Sequence, residues 1–294
     1  MVTTPPAVSP TVLAHPSTGT LHASPVAPGT GWPGDTADAE TPVARSPAEV
    51  VRIAASADLV RLDAASSVCR ACPRLVEWRE HVAVTRRRAY RDEPYWGRPA
   101  PGFGDPHAAV LVAGLAPAAH GANRTGRLFT GDRSGDWLVA ALHRAGVASI
   151  ATSTDAADGL VLTGVRMAAA VRCAPPDNAP TPGERDACAP WLGREIELLP
   201  GVRVVLALGA FGWQAVLGVV RRGGWVVPRP APRFGHGAHA ELTRPDGTTV
   251  HLVGCYHVSQ QNTQTGRLTE AMLDAAIHDA LVLAGLRTPG PVAG

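Results

Sequence analysis

Four cysteines are spaced for chemistry: Cys69-x2-Cys72 and, a hundred positions downstream, Cys173-x14-Cys188. A CxxC turn aims two sulfurs at one point, which makes it a metal-ligand or redox doublet. A thioredoxin-type site needs a strand ahead of its CxxC, and no strand pattern precedes Cys69. Structural zinc held by four cysteines usually shows two close doublets, whereas the x14 gap is loose. An iron–sulfur cluster accepts well-separated thiolates and often has a proline beside a ligand, as in Cys72-Pro73. Spacing alone leaves cluster, zinc and unliganded thiols open. Cys255, in an apolar stretch, reads as a buried bystander.

Two polar loops are the other candidates. Residues 114–132, GLAPAAHGANRTGRLFTGD, mix glycines, two arginines, an aromatic ring and a carboxylate. Such a loop can bring backbone close to a ligand, stack a ring and hold a water. Residues 256–263, YHVSQQNT, add an imidazole and amides. Each loop follows a run that reads as a buried strand, AVLVAGL at 109–115 and HLVGCY at 251–256. Ligands of open α/β sheets bind off the carboxyl ends of the strands, so the two loops are expected to converge.

The elements that must position them alternate along the chain. Strands are expected at 109–115, 161–171, 204–208 and 251–256. Ser46-Pro47-Ala48-Glu49 opens a helix expected to run to about Leu62. Further helices are expected at 134–145, from the capping box at Thr181 to about Leu199 with a kink at Pro190, after a glycine turn beyond Leu208, and from Thr269 to Gly285. This alternation implies an α/β domain on a mostly parallel sheet. Residues 1–45 are rich in Pro, Ala, Thr, Ser and Gly and are expected to be a disordered tail. That leaves 46–287 as one domain and 288–294 as a disordered C-terminus.

Composition narrows the function. The 294 residues are 45% apolar and 18% charged, enough for a sizeable core. A net charge of +2 permits a nucleic-acid partner without requiring one. The chain contains no lysine, which excludes catalysis through a lysine imine. Five cysteines do not make a secreted disulfide framework, and the N-terminus has no basic and apolar signal regions. The longest apolar stretch, Val204–Val220, is broken by Gly209, Gly212, Gln214 and Gly218 and reads as strand, turn and helix. The expectation is a cytoplasmic, reduced protein with no membrane span.

Taken together, GLAPAAHGANRTGRLFTGD, VRCAPPDNAPTP and YHVSQQNTQTGRLT resemble the family 5 uracil-DNA glycosylases, an iron–sulfur branch of the uracil-DNA glycosylase superfamily. The likeness covers roughly residues 65–287. It implies a three-layer α/β/α fold and a [4Fe–4S] cluster on Cys69, Cys72, Cys173 and Cys188. It also implies a monofunctional repair enzyme that flips uracil, and other deaminated bases such as hypoxanthine, out of DNA and hydrolyses the N-glycosidic bond. His257 would donate to the oxygen of the departing base, and Phe129 would stack on the ring. Gly114, Ala116 and Asn262 would complete the base site. In the best-known uracil-DNA glycosylases an aspartate stands where this chain has Ala116. The water role then falls to Asp132, with Asn178 positioning water or base. Arg124, Arg127 and Arg267, with Arg172, Gln260 and Gln261, would hold DNA. The partner would be damaged DNA, bound by a monomer associated with the nucleoid. A non-catalytic iron–sulfur binder of damaged DNA is the alternative.

Overall fold

Runs rich in valine, leucine and alanine become strands buried on both faces. The computed structural model describes residues 11–288. In chain order its elements are β1 (Leu13–Ala14), β2 (Leu21–His22), α1 (Pro47–Ser56), α2 (Leu59–Ser67), α3 (Pro73–Thr85), β3 (Phe103–Gly104), β4 (Val110–Gly114) and α4 (Ala122–Thr125). There follow α5 (Arg133–Arg144), β5 (Val165–Ala169), α6 (Pro182–Glu197), β6 (Val204–Leu208), α7 (Gly209–Arg222), β7 (His239–Thr243), β8 (Thr249–Cys255), α8 (Gln260–Gln264) and α9 (Glu270–Leu283).

Every residue of β4, β5 and β6 is buried. Their side chains alternate between two cores. Val112 and Leu206 pack with Leu138 of α5 and Ile277 of α9. Leu111 and Val205 pack with Leu192 of α6 and Val216 of α7 on the opposite face. The result is helices, sheet and helices in three layers, as expected. The sheet order is β3-β5-β4-β6-β8-β7, with the middle four strands parallel and the two edge strands antiparallel. From β4 the chain passes to β5 on one side, then returns to β6 on the other. That reversal makes a switch point at the carboxyl ends of β4 and β6.

Several expectations need correction. The helix from Ser46 to Leu62 is two helices. Ala57 is extended, and Asp58 caps α2 by accepting the Arg61 N–H at 2.8 Å. A short carboxylate at such a break restarts a helix readily. The strand at 161–171 shrinks to β5, α6 continues past Pro190, and the edge strand β7 is additional.

The larger correction concerns the supposed tail. Residues 1–10 lie outside the described residues, but 11–45 pack on the body. β1 pairs with β2, and Val26, Trp32, Ala37 and Ala44 are buried. Asp35 accepts Arg98 Nη1 at 2.7 Å and Nη2 at 3.1 Å in a buried bidentate pair. A few large or polar contacts, the Trp32 indole and the Asp35–Arg98 pair among them, order a segment whose average composition conceals them. The expected disordered C-terminus, 288–294, lies outside the described residues except for Thr288.

Candidate active site and a four-cysteine cavity

The loop after β4 is shaped by glycines around one ring and one carboxylate. Phe129 has φ +50, a strained value for a bulky residue. A Cβ on Gly114 would stand 2.8 Å from Phe129 Cζ, and one on Gly135 would strike the Phe129 carbonyl. The ring therefore lies on the very end of β4. Asp132 caps α5, its Oδ1 accepting the Gly135 N–H at 3.0 Å, while Oδ2 lies where a Cβ of Gly121 would be. Burial pushes its carboxyl above the usual value of 3.8, against the pull of the Gly135 and Ser134 amides.

The second loop leaves β8. Burial lowers the His257 pKa below 6.5, so the imidazole is neutral at pH 7. Its carbonyl accepts the Asn262 amide at 2.8 Å, so Asn262 braces the histidine. Between the loops lies the β6–α7 turn. Gly209 has φ +85, and a Cβ there would stand 3.2 Å from His257 Cβ. A Cβ on Gly212 would stand 2.7 Å from the Ala113 carbonyl. The sequence marks both glycines only as breaks in an apolar stretch and not as site residues. The Phe129 ring covers the end of β4 and His257 follows β8; β6 alone separates these strands, which therefore lie roughly 10 Å apart. Both loops therefore leave the same, carboxyl end of the sheet.

The arginines divide. Arg124 is buried, donating to Glu93 at 2.5 Å and to the Gly131 carbonyl at 3.0 Å, over the Tyr90 ring. Arg127 is buried against Asp158 at 2.6 Å and Ser153 at 3.1 Å. Arg172 is buried with Glu195. Contrary to the sequence expectation, these three brace the loops from inside and are not free to meet phosphates. Arg267 is exposed over the Tyr256 ring, and Gln260 and Gln261 are exposed on α8. Asn178 is exposed in a turn with φ +54, after Asp177 at φ +55. Ala116 packs against Leu75, Val171 and Cys173 as part of a wall.

Behind that wall Cys69, Cys72, Cys173 and Cys188 line one cavity with Leu75, Val171 and Trp191. α3 begins directly at Cys72-Pro73, and Cys188 projects from α6. Burial, reinforced by the neighbouring thiols, raises the pKa of Cys69 and Cys188 and pushes Cys72 up to about 12. Uncharged surroundings would leave such thiols inert, but this cavity is ringed by donors. Arg79 Nη1 lies 2.9 Å from Cys173 Sγ, and the Arg172 N–H donates to Cys188 Sγ at 3.3 Å. Arg79 Nε, Arg172 Nη1 and Trp191 Nε1 are buried without a partner. A dianionic thiolate-bound cluster suits such a setting. Among the described residues no three His, Cys, Asp or Glu side chains already converge on one metal-binding point. Cys255 is fully buried in β8, as expected.

Comparison with known proteins follows the same lines. A family model described as the uracil DNA glycosylase superfamily matches residues 101–281. A type-5 uracil-DNA glycosylase of Mycobacterium tuberculosis is 56% identical over 274 residues, 92% of this chain and 99% of the relative. One from Thermus thermophilus is 54% identical over 220 residues, 75% of this chain and 95% of the relative. The chain belongs to the uracil DNA glycosylase superfamily, in its type-5 branch.

Proposed function

We propose that the protein excises uracil from DNA, hydrolysing the N-glycosidic bond to leave an abasic site that starts base excision repair. The observation that carries this reading is that the loop bearing Phe129 and Asp132 and the loop bearing His257 leave the same carboxyl end of the sheet in a uracil-DNA glycosylase fold. The base leaves the stack, at a cost of about a few kcal/mol, and its ring lies on Phe129. As the bond breaks, negative charge gathers on the base and positive charge on the sugar. The neutral His257 imidazole donates a hydrogen bond to the base oxygen. Its depressed pKa supports donation without proton transfer. Asp132 accepts a proton from the attacking water and faces the sugar cation. Its raised pKa makes it a stronger base than an ordinary carboxylate.

With no lysine in the chain, the reaction ends at hydrolysis. Gly114 and Ala116 offer a base few side-chain hydrogen bonds, which supports acceptance of hypoxanthine and other deaminated bases beside uracil. Arg267, Gln260 and Gln261 meet the DNA, and Asn178 positions water or base from its exposed turn. Cys69, Cys72, Cys173 and Cys188 hold a [4Fe–4S] cluster whose chemistry here is structural, joining α3, α6 and the loop after β5. A reducing cytoplasm, at the nucleoid, suits such a thiolate-bound cluster.

The test is a duplex with one uracil, incubated with protein and then cleaved with alkali at abasic sites. Wild-type protein should give product at the uracil. His257→Ala and Asp132→Ala should each lose roughly 10²–10³-fold in single-turnover rate while remaining folded. Tight binding without product in the wild type would overturn the enzymatic reading in favour of a damage binder.

A further inference from the structure

Residues 11–45 touch the loop that carries Phe129 and Asp132, yet the reaction just described makes no use of them. The contact is specific. Trp32 is 4% exposed and donates its indole N–H to the Thr125 carbonyl at 3.0 Å. Next to Thr125, Gly126 has φ +79, and a Cβ there would stand 2.9 Å from Trp32 Nε1 and 3.1 Å from Trp96 Cδ2. The indole and the glycine are thus fitted to each other.

The indole is itself held. His15 and His22 pack edge-on against it, with ring centroids at 4.8 and 5.1 Å. Alongside, the Val26 N–H donates to the Trp96 carbonyl at 3.0 Å, and the Trp96 N–H to the Arg124 carbonyl at 2.9 Å. At the other end of the strap, Ser17 Oγ donates to Asp155 Oδ2 at 2.6 Å. That neighbourhood also holds the loop, since the Gly131 N–H donates to the Ser153 carbonyl at 2.8 Å. The loop is therefore fixed at Thr125 and Gly131, on either side of Phe129. A bulky residue at φ +50 persists only where its surroundings over-determine it.

We propose that residues 11–45 form a positioning strap for base excision, and that Trp32, acting through Thr125, is the residue that fixes the loop presenting Phe129 and Asp132. Trp32 touches neither base nor sugar. It lowers the barrier by keeping the ring and the carboxylate in their reactive places. The inference rests on the proposed excision of uracil.

Trp32→Phe tests it, because phenylalanine keeps an aromatic ring at this position while losing the indole N–H donor together with the rest of the pyrrole ring. On a uracil-containing duplex its single-turnover rate should fall about tenfold, with KM within about twofold of wild type. Trp32→Ala should fall further, and its rate should be partly restored in Trp32→Phe. Asp58→Ala supplies the contrast, since Asp58 lies outside the strap and caps α2 through the Arg61 amide. It should lower Tm while leaving the rate per folded molecule at the wild-type value. Equal rates for wild type and Trp32→Phe, or equal rate losses in Trp32→Phe and Asp58→Ala, would overturn the positioning role. A wild-type protein that excises no uracil would instead remove the parent reading.

Discussion

The two oxygens of Asp132 have different neighbours, and this separates capping from catalysis. Oδ1 holds the start of α5 through the Gly135 amide, while Oδ2 lies over Gly121. A methyl group on Gly121 must displace Oδ2. Gly121→Ala is expected to lose on the order of 10²-fold in single-turnover rate, and adding it to Asp132→Asn should cost little more. Additive losses in that pair would mean that Gly121 acts on something other than the carboxylate. Because burial raises the Asp132 pKa, the rate should fall on acidification at a pH above the usual carboxylate range, and that fall should vanish in Asp132→Asn. Asp132, Phe129 and His257 stand out in the sequence through the resemblance of their loops to a known family, since residue type alone equally allows a helix cap, a core ring and a structural imidazole. Arg124 and Arg127 were not legible. Their carboxylate partners, Glu93 and Asp158, each lie 31 positions away in sequence, and residue type does not say whether a guanidinium faces water or an internal acid.

The loops and the strap are held by buried polar ties, so they answer to substitutions and to pH differently from a surface. Arg127→Ala leaves Asp158 buried without its cation and is expected to cost about 3–5 kcal/mol of stability. Its DNA affinity per folded molecule should keep the wild-type salt dependence, whereas Arg267→Ala should reduce the slope of log K against log salt by about one. A reduced slope in Arg127→Ala would restore the phosphate role. The strap carries its own titration. Burial lowers the pKa of His15 and His22 below 6.5; Asp155 and Glu93 oppose this at His15, and Arg124 and the neighbouring imidazole add to it. The unfolded chain then binds these protons first, so their contribution to stability is complete above pH 6.5 and declines as pH falls below it. Melting curves between pH 7.5 and about 5 should show a loss that His22→Phe diminishes. The central strands were readable as apolar runs. Strap and edge strand were not: the strap is ordered by single large contacts, and β7 by hairpin pairing with β8 that its partly polar sequence does not announce.

Across the whole molecule, the four thiols join parts of the chain that no single element spans: the α2–α3 junction, the loop after β5, and α6. Removing the proposed cluster should therefore loosen the wall behind Ala116. Protein as purified should be brown with about four irons per chain. Cys173→Ser should lose the visible absorbance and melt at lower temperature, while Cys255→Ser should keep its colour. Colourless wild-type protein containing one zinc would overturn the cluster. Fold class was legible from strand and helix alternation, but the order of the strands was not, since pairing across crossovers leaves no local trace. That order bears on how the protein is made. β8 lies inside the sheet, between β6 and β7, yet it is the last strand to be synthesised. Until it leaves the ribosome, β6 presents a bare apolar edge of Val204–Leu208, a template for pairing with other chains. His257 emerges immediately behind β8, so the nascent protein gains its reactive imidazole only as that sticky margin is being sealed.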